Sequence, residues 1–562
     1  MKFIIRRGIM QLIGIKNHLR NILIIFFSII FIGDIFAQQN IQAEVNHYLA
    51  NLPFGSFSIN LPKFQDKDYN IKDYGAAGDG YTMNTEAFKK AVEACAEAGG
   101  GRVIVPPGIW LTGPIELKSN INFHLERGAL ILFSPDHKDY PIVKIPHGSF
   151  AVASPVYGYD LENIAITGEG LFDGNGTTWR PVKKSKVTSA LWKSFVNSGG
   201  VLSDDGSTWF PSAVSRDGDK TFVQFKKNKK EITSDDLLSI RDAMRPKLIS
   251  LMNCKRILID GVTFENSPSF AFNPNFCEDM VIKDVKINNE YWAQNGDGID
   301  IGSSKNVLVY NCTVSAGDDG ICMKSSKGKS SIGPALENIV IENCVVYHAH
   351  GGFVIGSNTD GGIHNIFVRN CDFVGTDVGL RFKSGRDRGA LVDNIFISNI
   401  FMKDILNEAI LFNTYYENEK DTGKSFPVTE RTPVFKDFHI DSIFCTGAKS
   451  AASITGLPEM PIQNIKIADS YISAERGVET DNAKNILFDN VKLVNAKGPL
   501  FKINQSSDFV LNKISFQHAS ENFMNVSGKD TKSISIENTD IKSFQAPIIY
   551  TGDVDKNSVV IK

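Results

Sequence analysis

The 562-residue chain has no excess of positive charge, with 60 Lys and Arg against 63 Asp and Glu. A general nucleic-acid binder needs a basic surface, so nucleic acid is not an expected partner. The eight cysteines contain no CxxC pair, which argues against a zinc site. The apolar run Ile22–Ile32 is short for a membrane span, and no cysteine follows it to carry a lipid. Composition also lacks the bias of a disordered chain, at 42% hydrophobic and 22% charged residues. No helices intervene between the short strands of the repeat described below.

What is present begins with a leader. Lys2, Arg6, Arg7, Lys16 and Arg20 precede Ile22–Ile32, and Ile35-Phe36-Ala37 resembles a cleavage site. This layout predicts a secretory signal peptide over residues 1–37 and export to the periplasm or outside the cell, with no membrane attachment after cleavage. Removing that segment takes away five Lys/Arg and one Asp, leaving 55 basic against 62 acidic residues and a formal charge of −7. An anionic ligand then requires cations gathered locally at its site.

Residues 38–68 read as an N-terminal arm and residues 69–562 as one domain. A strand and turn over Tyr69–Asp79 lead into a helix from about Asn84 to Ala98. Its Phe88, Ala91, Val92 and Cys95 share one face, and the run Gly99-Gly100-Gly101 ends it. A short helix there suits capping the open apolar end of a repeat stack.

One phrase then recurs: Asn, an alternating apolar strand, Asn or Asp, and a second short strand. Copies start at Asn306, Asn338, Asn365 and Asn394, spaced 32, 27 and 29 residues apart, and later at Asn464, Asn485 and Asp508. Short strands at this period without intervening helices predict an all-β fold, a right-handed parallel β-helix; a β-propeller would need longer and more uniform blades. Asn and Asp suit the turns because they tolerate left-handed backbone. Asn311-Cys312, Asn343-Cys344 and Asn370-Cys371 fall in the same frame, which predicts buried, stacked thiols. Residues 178–245 break the rhythm and read as a large insertion, carrying Trp179, Arg180, Trp192, Trp209 and the lysine clusters Lys183/Lys184/Lys186 and Lys226/Lys227/Lys229/Lys230. If it forms part of the site, it walls one end of a cleft.

A second repeat lies inside the first. Gly298-Ile299-Asp300-Ile301-Gly302-Ser303 aligns with the segments starting at Gly320, Gly352 and Gly379, each ending in Ser. Equivalent positions should stack on neighbouring strands about 4.8 Å apart. The position before Gly holds Asp297 and then Asp319; the one before that holds Gly296, Asp318, His350 and Asp377. Lys324 and Lys383 share a column, and Arg381 and Lys383 alternate around Phe382, so both can face one side. Taken singly, Gly317-Asp318-Asp319-Gly320 is an ordinary turn, His350 an ordinary histidine and Arg381 with Lys383 an exposed strand face. Their common frame across adjacent coils is what points to chemistry. Crowded carboxyl groups cannot all ionise freely, so at least one should hold its proton more tightly, as glycoside hydrolysis requires of its acid.

At these residues the chain resembles the polygalacturonase family of glycoside hydrolases (family 28). The family's four ordered motifs correspond to Asn295-Gly296-Asp297, Gly317-Asp318-Asp319, Ala349-His350-Gly351 and Arg381-Phe382-Lys383, with Tyr74-Gly75-Ala76 and Arg245-Pro246 in addition. Gly296, Ala349 and Phe382 depart from the family's Thr, Gly and Ile but leave the reactive groups in place. The resemblance implies inverting hydrolysis of α-1,4-D-galacturonosidic bonds in polygalacturonate or pectin, with no metal or cofactor. It implies Asp318 as general acid, Asp297 and Asp319 as activators of water, His350 as a support for the acid, and Arg381 and Lys383 as ligands of a galacturonate carboxylate. Asn295 and Lys324 join the expected substrate contacts. The insertion and the His-Gly-Gly-Phe context resemble bacterial exo-acting members, expected as monomers.

Three rivals remain at this level. A rhamnogalacturonan or xylogalacturonan hydrolase would act on decorated chains, a pectate lyase would need Ca²⁺ and give an unsaturated product, and a binding β-helix would not need the aspartates. An inverting pair should stand roughly 6.5–9.5 Å apart. The column shared by Lys324 and Lys383 predicts that Lys324→Ala weakens substrate binding; unchanged kinetics would remove Lys324 from the site.

Overall fold

The computed structural model describes residues 41–146, 149–228, 231–327, 335–517 and 521–562. The leader at 1–37, residues 38–40 of the arm, and Lys229 and Lys230 lie outside the described residues. A small unit ending at Leu52 contains a helix over residues 41–48, and residues 53–67 continue without helix or strand. In that second stretch Asn60 donates to Asp279 at 2.6 Å.

From Asp68 the chain winds as a right-handed parallel β-helix, as the repeat predicts. A 14-stranded parallel sheet runs from Ile115–Glu116 to Ile548–Thr551, and a second sheet of 24 strands wraps the rest of the coil. In the first half this second sheet forms two ladders, for example Lys305–Tyr310 and Thr313–Ser315, which merge into long bent strands such as Ile363–Val374. Alternation decides what faces inward: Ile299, Ile321, Phe353 and Leu380 pair in register on successive coils and are all buried. One continuous core runs from Tyr69 to Ile541. Each such side chain removed from water contributes about 1.5–3 kcal/mol.

The turns follow from their residues. Asn306, Asn338, Asn365 and Asn394 have φ of 56°, 60°, 58° and 60°, in the left-handed region that Asn tolerates. Their side chains also form a ladder that the sequence did not announce: Asn338 donates to Asn306 at 3.1 Å, Asn365 to Asn338 at 3.0 Å and Asn394 to Asn365 at 2.5 Å. The recurring glycines answer a different need. A Cβ on Gly298, Gly320, Gly352 or Gly379 would meet Val314, Val346, Phe373 or Met402 at 2.4–2.6 Å, so these strands press directly on the opposite wall. All eight cysteines are buried and unbridged, and Cys312, Cys344 and Cys371 stack.

A helix over Thr85–Glu97 with Asn84 at its N-terminus buries Ala87, Phe88, Ala91, Val92 and Cys95 in the same core, the face expected of it. The insertion leaves the coil after Leu171–Asp173 and returns before Ile249–Met252. It folds into helices Ser189–Asn197, Ala213–Asn228 and Ser234–Ser239 around a three-stranded antiparallel sheet. Among the described residues no helix is long and apolar enough to cross a membrane.

Phe438 is fully buried against Phe382 and Phe412, with ring centroids 5.0 and 4.9 Å away. Phe438→Ala is therefore expected to cost about 3–5 kcal/mol in chemical denaturation. A loss below about 1 kcal/mol would mean that this aromatic layer does not carry the packing ascribed to it.

Candidate active site

Four strands of the 14-stranded sheet carry the site: Ile299–Gly302, Asp319–Lys324, Gly351–Ile355 and Leu380–Lys383. Their register pairs Asp319 with Gly351, Gly302 with Lys324 and Val354 with Arg381, the stacking that the repeat predicts. Inward residues bury in the core, so Asp300, Lys324, Arg381 and Lys383 project from the opposite face. Asp297 and Asp318 arrive on the turns just before their strands. Gly317 makes that turn possible, since a Cβ there would stand 2.2 Å from the Ala293 carbonyl oxygen.

Asp297, Asp318 and Asp319 each bring a carboxylate oxygen within 4.8 Å of the others. Asp297 and Asp319 are only 2% exposed, while Asp318 opens to a cleft. Three cations interleave with them. Lys383 Nζ donates to Asp319 at 2.7 Å and Arg381 Nη1 to its other oxygen at 3.0 Å. Lys324 Nζ divides itself between Asp297 at 3.0 Å and Asp300 at 2.5 Å. Lys324 and Lys383, expected at the substrate, are thus engaged with buried carboxylates.

This arrangement drives the carboxyl groups apart in acidity. Burial pushes Asp297 well above the ordinary carboxylate range; Lys324 opposes the rise, and the neighbouring aspartates add to it. Asp300 is raised for the same reason, again against Lys324. Burial would raise Asp319 as well, but Lys383, Arg381 and Lys324 together outweigh it and hold that carboxyl well below its usual value. A raised carboxyl is found at Asp297, with Asp300 beside it, and burial more than crowding is its cause.

The wide gap expected of an inverting pair is not met by the nearest oxygens, which lie inside roughly 6.5–9.5 Å. Lys324 holds Asp297, Arg381 and Lys383 hold Asp319, and His350 holds Asp318, which leaves the nearest oxygens of the three closer than that spacing. The same three oxygens could also hold a metal ion, although Asp297 and Asp319 already have cationic partners.

His350 Nδ1 lies 2.9 Å from Asp318 Oδ1, and its Nε2 faces Lys186 Nζ at 3.2 Å and Asp377 at 3.8 Å. A lysine ammonium can only donate, so Nε2 accepts and the imidazole proton sits on Nδ1, directed at Asp318. Lys186 belongs to the insertion. With Lys183, Tyr291, Trp292 and Asn295 it lines a cavity of about 150 Å³ over Asp318 and His350. Fully buried Arg180 ties the insertion down through the Ser267 carbonyl at 2.9 Å, Asn266 at 3.0 Å and Glu290 at 2.7 Å. Glu290 leads directly into Tyr291 and Trp292. Arg245 Nη2 donates to the Asn295 side-chain oxygen at 3.1 Å, so Asn295 sits in the cavity wall with its carbonyl already taken.

Asp300, Tyr291, Trp292 and Lys247 are site residues that the sequence reading did not single out. Asp300 had a signal, a lone acid in the outward column that also holds Arg381. Lys247, Tyr291 and Trp292 had none, because they lie on turns outside the repeat frame.

The chain is similar to known proteins. The profile of a family described as "Glycosyl hydrolases family 28" matches residues 193–486, and one described as "Rhamnogalacturonase A/epimerase, pectate lyase-like" matches residues 69–124. An exo-poly-alpha-D-galacturonosidase of Dickeya chrysanthemi is 28% identical over 456 residues, 76% of this chain and 71% of the relative. An endo-polygalacturonase of Pectobacterium carotovorum subsp. carotovorum is 26% identical over 353 residues, 61% of this chain and 74% of the relative. The crystal structure of a hyperthermoactive exopolygalacturonase from Thermotoga maritima superposes with a TM-score of 0.64 at 28% identity, covering 80% of this chain and 96% of that one.

Lys383→Met leaves the buried Asp319 charge with one cation fewer and is expected to cost about 3–5 kcal/mol near neutral pH. Asp319 binds its proton more weakly folded than unfolded, so its ion pairs stabilise the protein above about pH 4 and lose that effect as pH falls towards the lower folded value. The difference between wild type and Lys383→Met should therefore shrink below about pH 4 in denaturation measured across pH. A difference that stays constant down to pH 2 would contradict the pairing.

Proposed function

Because this chain belongs to glycosyl hydrolase family 28, we propose that it hydrolyses α-1,4-D-galacturonosidic bonds of polygalacturonate by a single displacement that inverts the anomeric carbon. The observation that carries this reading is the opposed treatment of the carboxyl groups. Asp319 is clamped as a carboxylate by two cations, Asp297 has a raised affinity for a proton, and Asp318 alone of the three opens to the cleft.

Asp318 donates its proton to the glycosidic oxygen as the bond from that oxygen to C1 breaks. A water held by Asp297 and Asp319 forms the new bond to C1, and this pair of carboxyl groups takes up the water proton. Asp319 remains ionised and stabilises the positive charge that develops on the sugar. His350 orients Asp318 through its Nδ1 proton. Arg381, partly exposed beside Asp319, meets the galacturonate carboxylate beside the bond. Lys383 and Lys324 act one step back, by setting the charge of the aspartates they hold.

Exo action is part of the proposal. The insertion brings Lys183 and Lys186 over Asp318, a wall that favours attack near a chain end. Relatives at 28% identity named as exo-acting support the same direction. Export rests on the leader at residues 1–37.

Residues 38–562 should release reducing ends from polygalacturonate in the presence of EDTA, with mono- or digalacturonate as the early product. Asp318→Asn should lower the rate about 10²–10⁴-fold. Proton NMR of the first product should show the β-anomer. A retained α-anomer would overturn inversion, an unsaturated product lost with EDTA would identify a lyase, and early intermediate oligomers would make the enzyme endo-acting.

A further inference from the structure

A second cavity of about 260 Å³ lies on the Asp300 side of the acidic cluster and is lined by Lys247, Phe270, Asn273, Lys324 and Ser326 among others. Lys324 spends its charge on Asp297 and Asp300. Lys247 is different: among the described residues it has no hydrogen-bond or ion-pair partner, although it stands close enough to Asp300 and Lys324 to feel both charges. Burial lowers its affinity for a proton; Asp300 partly restores it, and Lys324 works against it again. An ammonium lining a cavity, beside an Asp300 carboxylate that already pairs with Lys324 through one oxygen, is a position that an incoming anion stabilises.

We propose that this cavity is a uronate subsite in which Lys247 receives the sugar carboxylate, a reading that rests on the polygalacturonate substrate proposed above. The rest of the lining suits such a residue. Phe270, with Lys324 Nζ 4.4 Å from its ring centroid, gives an aromatic surface for the C–H face of a sugar ring. Asn273 donates to the Asp300 carbonyl at 2.8 Å and accepts from Asn275 at 2.9 Å, which fixes that wall before any ligand arrives. A neutral sugar would leave Lys247 as it stands, without a counter-charge. The subsite therefore selects uronate over galactose or a methyl ester at this position.

Lys247 lies on the segment that returns from the insertion to strand Ile249–Met252, immediately after Pro246. The insertion thus contributes to both cavities, through Lys183 and Lys186 at one and its returning end at the other.

The test uses full-length protein carrying Asp318→Asn to suppress turnover, titrated calorimetrically with α-1,4-linked trigalacturonate and with the neutral α-1,4-linked galactotriose. Adding Lys247→Met should weaken trigalacturonate binding by about ten- to a hundredfold, the loss of one charge-assisted contact, and leave galactotriose unchanged. Lys247→Arg should stay within about threefold of the parent, and it keeps the proposal testable should the Met variant fold poorly. With Asp318 restored, Lys247→Met should act on KM more than on kcat. Parental binding of trigalacturonate that Lys247→Met leaves within twofold, at an unchanged melting temperature, overturns this inference alone. Failure of the parent to bind trigalacturonate overturns the substrate reading and this inference together.

Discussion

Backbone hydrogen bonds between parallel strands hold each coil about 4.8 Å from the last, and the chemistry of this protein depends on that spacing. Side chains separated by 20–30 residues become neighbours in a column, and columns two residues apart along a strand face the same way. Asp319, Arg381 and Lys383 meet only because Asp319 lies in register with Gly351, and the following strand pairs Val354 with Arg381. The glycine column serves the same end by letting these strands approach the opposite wall without a Cβ in the way. A slip of one residue would turn Arg381 and Lys383 into the core and Phe382 into the cleft.

Onto this frame the sequence loads charges that would be costly singly. A buried carboxylate or ammonium without a partner is strongly unfavourable, so Asp297, Asp300 and Asp319 and their three cations are mutually dependent. Their sharing is uneven, and the unevenness carries function. Asp319 has two cations to itself, whereas Asp297 and Asp300 share Lys324. One carboxyl is thereby fixed as an anion beside another poised to accept a proton. Lys324 and Lys383, both expected at the substrate, also hold these carboxylates.

The insertion adds what a bare solenoid lacks. A flat parallel sheet presents an open groove, and a polymer could lie across it in either register. Arg180, buried beneath the insertion and bonded to three partners of the coil, makes the added wall rigid. Lys186 then reaches His350, which in turn contacts Asp318, so the wall is linked to the acidic cluster.

By itself the sequence determined the period, the strand alternation, the left-handed Asn turns and the stacking of Asp297, Asp318, Asp319, His350, Arg381 and Lys383. All of these follow from local residue preference repeated at one coil length. It also marked the insertion, because a break in a repeat is as visible as the repeat. Only the tertiary structure decided which charge pairs with which, since register places groups in a column but rotamers and burial choose their partners. Asp300 with Lys324, Lys186 with His350, and Lys247, without a partner among the described residues, belong to that second class. They join residues from turns and an insertion that no period relates, and only the folded chain brings them together.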